Sequence, residues 1–148
     1  VLAPGLWRLG ERVSGAGVCL LSLLWFSVDE LRPFVWTDVA SGFGWLPFAA
    51  SLRGSMITNV LALCWQFYWL GAIIHTSRAL GLRSVAAVWL LALWTLILEI
   101  NQAWLPGRTA DITPALLPFI WWLASPWLQA AVAGPGSSAA QRHLLHTR

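Results

Sequence analysis

Four polar residues with the means for binding or acid–base chemistry lie close together in an otherwise apolar stretch. They are Glu99, Gln102, Arg108 and Asp111. Glu99 and Gln102 are three residues apart, so on a helix they share a face, and a Pro-Gly pair at 106–107 then predicts a turn. A charged side chain inside a membrane segment costs about 2.5–3.5 kcal/mol on insertion scales. Such a residue is therefore a candidate functional residue with a partner nearby.

These residue types support two kinds of chemistry. In a binding site for an anionic head group, Arg108 would hold phosphate, because guanidinium matches phosphate bidentately, and Glu99 and Asp111 would orient it. In an enzyme, Glu99 would be the catalytic acid or base. The third alternative is a structural bundle without a ligand, with a Glu99–Arg108 ion pair and with Gln102 and Asn59 as interhelical ties.

The composition indicates an integral membrane protein. Of 148 residues, 58% are hydrophobic and only 10% charged, and mean hydropathy is +0.68, whereas soluble domains carry about 25% charged residues. The net charge of +3 is spread along the chain without a basic stripe, so we expect no nucleic-acid partner.

Metal and cofactor chemistry have little support in the sequence. Cys19 and Cys64 lie in apolar runs without zinc-ligand spacing, which is typical of thiols that act as small apolar residues. The pair His143 and His146 lacks a third ligand. We predict no metal and no cofactor.

Four apolar runs predict an all-α, polytopic bundle of four transmembrane helices, which with its loops forms one membrane domain over residues 1–133. The remaining residues, 134–148, read as a flexible tail. The first run is predicted to be an uncleaved anchor rather than a signal peptide, because no small-x-small cleavage site follows it. The predicted spans are approximately 13–28, 56–77, 84–105 and 113–132.

The longest connection, residues 29–55, is polar but rich in aromatic residues. It is either an interfacial loop among lipid head groups or an ordered aqueous loop that caps the bundle. Downstream of it, Asn59 and Gln66 are seven apart and so share one helix face.

The arginine distribution predicts the orientation. The N-terminal segment, the connection 78–83 and the tail hold six arginines, whereas the other two connections hold Arg32, Arg53 and Arg108. The positive-inside rule then places both termini in the cytoplasm. Arg32 and Arg53 fall on the outer side, where they could assist Arg108, and Asn59 completes the polar lining.

The pattern Glu99-x-x-Gln102, a short turn, then Arg108-x-x-Asp111 resembles the signature of the VanZ-like family of small bacterial membrane proteins. Arg32-Pro33-Phe34 and the stretch from Trp45 through Arg53 to Met56, followed by Asn59 and Leu70-Gly71, are also similar to that family. The chain departs from it in the last helix, where Pro114, Pro118 and Trp121 occupy the region of a further Asp, Asn and Gly.

The resemblance implies a multi-pass protein of the bacterial inner membrane and cell envelope, related to one linked to teicoplanin resistance. With the polar cluster, it predicts a membrane lipid or a lipid-linked cell-wall precursor as the partner.

Overall fold

The computed structural model describes residues 4–49, 52 and 55–145, with side chains described for 10–49, 52 and 55–130. Within these residues the fold is all-helical, as predicted. A short 3-10 helix, Ser77–Leu80, extends the second α-helix. The α-helices are α1 (Pro4–Glu30), α2 (Met56–Thr76), α3 (Ser84–Gln102) and α4 (Thr113–Leu145).

Three of the described helical segments are long and apolar enough to cross a membrane, which supports the membrane assignment. They are Gly10–Glu30, Met56–Leu80 and Ser84–Gln102. The fourth helix is not among them. Its first half contains Pro114, Pro118 and Pro126 and several tryptophans, residue types that lower the mean hydropathy of a segment.

Helix bounds differ from the predicted spans in three places. Helix α1 begins at Pro4 and includes Glu30, so the acid predicted in the loop ends the helix instead. Helix α3 ends at Gln102 rather than Leu105, because a residue before proline disfavours helical geometry and Gly107 adopts a positive φ of 75°. Helix α4 continues to Leu145 through the segment predicted as a flexible tail; its last part is rich in Ala, Gln and Leu, which favour helix, whereas Gly134, Pro135 and Gly136 before it do not.

The apolar core lies where α1, α2 and α3 meet, with Leu70, Ile74 and Val88 almost fully buried. Helix α4 packs against α3 and α2. There a Cβ atom at Gly71 would overlap the indole of Trp121, so the absence of a side chain lets the two helices approach closely.

The helices begin and finish at two ends of the bundle. At one, called here the loop end, α1 and α3 finish and α2 and α4 begin. The α1–α2 loop is ordered against the α3–α4 turn at this end: Thr37 N donates to Trp104 O (2.9 Å), and Gly44 N donates to Ala110 O (2.8 Å). The described loop therefore caps the bundle, although Trp45 is 76% exposed.

We predict that Gly71→Ala destabilises the protein. Overpacking of a close contact typically costs about 1–3 kcal/mol, and the added methyl group would meet the Trp121 ring. The readout is the thermal unfolding midpoint in detergent. The matched control is Gly17→Ala, where a Cβ meets nothing within 4 Å and alanine favours helix.

Adding Trp121→Leu to Gly71→Ala should recover part of the loss, because the overlapping ring is removed. Equal midpoints for the Gly71→Ala and Gly17→Ala proteins would contradict the close approach of α2 and α4.

Candidate functional site

A polar cleft of about 540 Å³ lies at the loop end of the bundle. The elements that form it are the end of α1, the first half of α2, the end of α3, the α3–α4 turn and the start of α4. The described residues that line the cleft are Glu30, Thr58, Asn59, Ala62, Leu63, Gln66, Glu99, Gln102, Gly107, Arg108, Thr109, Asp111, Thr113 and Pro114.

The structure brings together most of the residues singled out in the sequence. Glu99, Gln102, Arg108, Asp111 and Asn59 all line this cleft. The helix spacing explains their convergence: the first two share a face of α3, and the turn at Gly107 returns the chain over that face.

Glu99 is 4% exposed and holds the α3–α4 turn in place. Its Oε2 accepts a hydrogen bond from the backbone N–H of Asp111 (2.9 Å). Asp111 Oδ1 in turn accepts from Thr113 N (2.6 Å), an Asx-type contact that favours the start of α4. Thr113 Oγ1 accepts from Phe48 N (2.8 Å). One buried acid thus begins a chain of contacts that reaches the capping loop.

Glu30 is a site residue that the sequence analysis missed. It is 9% exposed, and both of its carboxylate oxygens accept hydrogen bonds from side-chain amides. Gln66 Nε2 donates to Oε1 (3.1 Å), and Gln102 Nε2 donates to Oε2 (2.7 Å). A single carboxylate therefore links α1, α2 and α3. The signal in the sequence was that Gln66 and Gln102, two amides in other helices, would each need a hydrogen-bond acceptor.

Arg108 is held differently from the prediction. Its Nε donates to Arg32 O (3.1 Å), and its Nη2 donates to Asp29 O (2.8 Å), so the guanidinium caps the carboxyl end of α1, where carbonyl groups lack helical partners. Within the described residues the hydrogen bonds of the guanidinium go to these two backbone carbonyls, and the alternative of a Glu99–Arg108 ion pair stays a prediction.

The two accessory arginines contribute less than expected. The Arg32 side chain is exposed and is not part of the cleft lining, although its carbonyl helps to position Arg108. Arg53 lies outside the described residues.

The described lining holds three carboxylates, those of Glu30, Glu99 and Asp111, and one guanidinium. Among the described residues, no group of three or more His, Cys, Asp or Glu is arranged to hold a metal ion. The described lining also contains no histidine and no cysteine. Chemically the cleft is a hydrogen-bonding and charge-pairing surface.

No protein-family model, curated protein or solved structure matches this chain. The VanZ-like resemblance therefore stays a prediction.

We predict that Glu30→Ala lowers the free energy of unfolding by about 1–3 kcal/mol or more, because a buried amide left without its acceptor carries that cost. Glu30→Gln should lose less, since one oxygen remains to accept. Denaturant titration followed by tryptophan fluorescence measures both. The matched control is Glu11→Ala, an exposed position of the same helix; an equal loss there would contradict the linking role of Glu30.

Proposed function

We propose that this chain is a multi-pass protein of the bacterial inner membrane whose loop-end cleft binds the phosphate-bearing head group of a membrane lipid or of a lipid-linked cell-wall precursor. The observation that carries the proposal is a polar cleft of about 540 Å³ set among helices whose outer surfaces are apolar. The VanZ-like resemblance, with its link to teicoplanin resistance, agrees with such a role in the cell envelope.

The depth of the cleft supports a lipid rather than a small solute. Gln66 lies ten residues after Met56, the first residue of α2, which is about 15 Å along a helix at 1.5 Å per residue. The hydrocarbon core of a bilayer is about 30 Å thick. The cleft thus extends well into the depth of a spanning helix.

The side of the cleft supports lateral access. Thr58 and Ala62 are both exposed and both line it, and residues four apart lie on one side of a helix. Their neighbours Leu61 and Trp65 are 64% and 51% exposed, as expected of side chains in contact with lipid. A head group could enter past α2 while its acyl chains stay in the bilayer.

Arg108 is the proposed phosphate ligand. A guanidinium has five N–H donors, and the hydrogen bonds within the described residues use two of them. Those two bonds fix the plane of the group, so a phosphate would meet a donor that is already oriented.

The proposed topology has four spans, with both termini in the cytoplasm and the cleft on the outer side. Helix α4 starts at the end where α3 finishes and packs along it, so it is the natural fourth span. Prolines in a membrane helix are tolerated where neighbouring helices compensate them, and Pro114 and Pro118 are buried. The arginine distribution supports the orientation.

Glu99 favours a second candidate, an enzyme acting on the bound lipid-linked substrate with this carboxyl group as acid or base. The group is buried and lines the cleft. On this candidate, Glu99→Gln would retain the fold but lose turnover of the lipid-linked substrate, whereas unchanged turnover would exclude the acid–base role.

We predict that Arg108→Ala loses co-purifying phospholipid or precursor. Loss of a hydrogen bond to a charged group costs about 1.5–3 kcal/mol, which is about a tenfold or larger fall in affinity. Native mass spectrometry of gently purified protein measures the bound species. The matched control is Arg83→Ala, an exposed arginine of the opposite end.

Because Arg108 also caps α1, the unfolding midpoint is measured for each variant, and Arg108→Lys provides a version that keeps the charge. A folded Arg108→Ala protein that retains wild-type lipid would contradict the proposal.

We predict that Thr109→Cys reacts with a membrane-impermeant maleimide on intact cells, whereas Arg83→Cys reacts only after permeabilisation. Both changes are made in a Cys64→Ala background, because Cys64 is exposed while Cys19 is buried. The reverse labelling pattern would place the cleft on the cytoplasmic side.

A further inference from the structure

We infer that the head group carries a primary ammonium next to its phosphate, as phosphoethanolamine does, with the ammonium on the carboxylates of Glu99 and Asp111 and the phosphate on Arg108. This inference rests on the proposed function and names the class of head group that the cleft selects.

The lining of the cleft offers hydrogen-bond acceptors to a ligand. Within the described residues, Glu99 uses Oε2 and Asp111 uses Oδ1 as acceptors, so each has a second carboxylate oxygen for other partners. Gln102 donates one of its two amide N–H groups to Glu30. The second oxygens of Glu99 and Asp111 accept hydrogen bonds, so a group that complements them must donate, and an ammonium has three donors and no acceptor.

The described lining also contains more acidic than basic side chains. Three carboxylates face one guanidinium among the described lining residues, and Glu99 and Asp111 are both buried, at 4% and 8% exposed. A buried carboxyl group is ionised only where a cation or hydrogen-bond donors compensate it. An ammonium would supply that compensation for Glu99 and Asp111 while the phosphate pairs with Arg108, whereas a purely anionic head group would supply none for the acids.

The described lining contains no aromatic side chain. Quaternary ammonium groups, which have no N–H, are recognised by cages of aromatic rings. None of the described lining residues is Trp, Tyr or Phe, although the sequence contains nineteen such residues (12 Trp, 1 Tyr and 6 Phe). The cleft is therefore built for N–H donors rather than for a choline group.

The basic and acidic groups of the lining come from adjacent parts of the fold. Arg108 and Asp111 lie in the same short turn, and the backbone N–H of Asp111 contacts Glu99. The cationic and anionic groups thus line one cleft, as a head group that carries both a phosphate and an amine requires.

The test titrates purified full-length protein in detergent with three short-chain phospholipids that share their acyl chains: phosphatidylethanolamine, phosphatidylcholine and phosphatidylglycerol. Native mass spectrometry reads the bound fraction. We expect the ethanolamine lipid to bind at least about tenfold more tightly than the other two, since a charge-assisted hydrogen bond is lost in both.

Glu99→Gln should reduce binding of the ethanolamine lipid to the level of the choline lipid and leave the other two unchanged. This variant keeps an oxygen to accept the Asp111 N–H, so the turn is retained, and the unfolding midpoint verifies this. Asp38→Asn, an exposed acid of the capping loop, is the matched control and should bind as the wild type does.

Equal binding of all three lipids, with loss in Arg108→Ala, would overturn the inference and leave the proposed function standing. Preference for phosphatidylglycerol would overturn it in the same way. Binding of any lipid that is unaffected by Arg108→Ala in a folded protein would overturn both.

Discussion

The arrangement of the loop end depends on one carboxylate that accepts two amide hydrogen bonds. Glu30 ends α1, and its two oxygens receive Gln66 of α2 and Gln102 of α3. In a bilayer there is little water to take over these roles, so polar groups among helices must satisfy one another. The same pairing that removes this cost also fixes the ends of α1 and α3 relative to the middle of α2, and with them the shape of the cleft.

Hydrogen bonds to backbone groups then position the α3–α4 turn and the long loop around this carboxylate. Arg108 caps α1 through the carbonyls of Asp29 and Arg32, and Glu99 holds the Asp111 N–H. The long loop is hydrogen-bonded to the α3–α4 turn at several backbone positions, including the contact of Gly44 with Ala110. Gly44 suits this place because a Cβ there would lie 3.1 Å from that of Asp111. The cap is therefore held by hydrogen bonds to the turn, together with Phe48, which packs against the apolar core.

Local sequence patterns predicted the helices and part of the site, but they could not predict hydrogen-bond partners that are distant in the chain. The helical class and the approximate positions of the apolar runs follow from composition, and the three-residue spacing placed Glu99 with Gln102 on one face of α3. The sequence could not show that Glu30, far away in the chain, would be the acceptor for Gln102. For Arg108, opposite charges close in sequence suggested an ion pair, but they could not show that the guanidinium also donates to carbonyls at the end of α1, which lack helical partners.

The acceptor character of the cleft is itself a consequence of the structural bonds. An amide side chain offers two donors and an acceptor, and Gln102 donates one N–H to Glu30. The second oxygens of Glu99 and Asp111 remain toward the cleft as acceptors. The residues that hold the helices together thus also determine what kind of ligand would complement them. A change that weakens the helix contacts would at the same time free an N–H donor, so stability and selectivity at this site are coupled through the same amide.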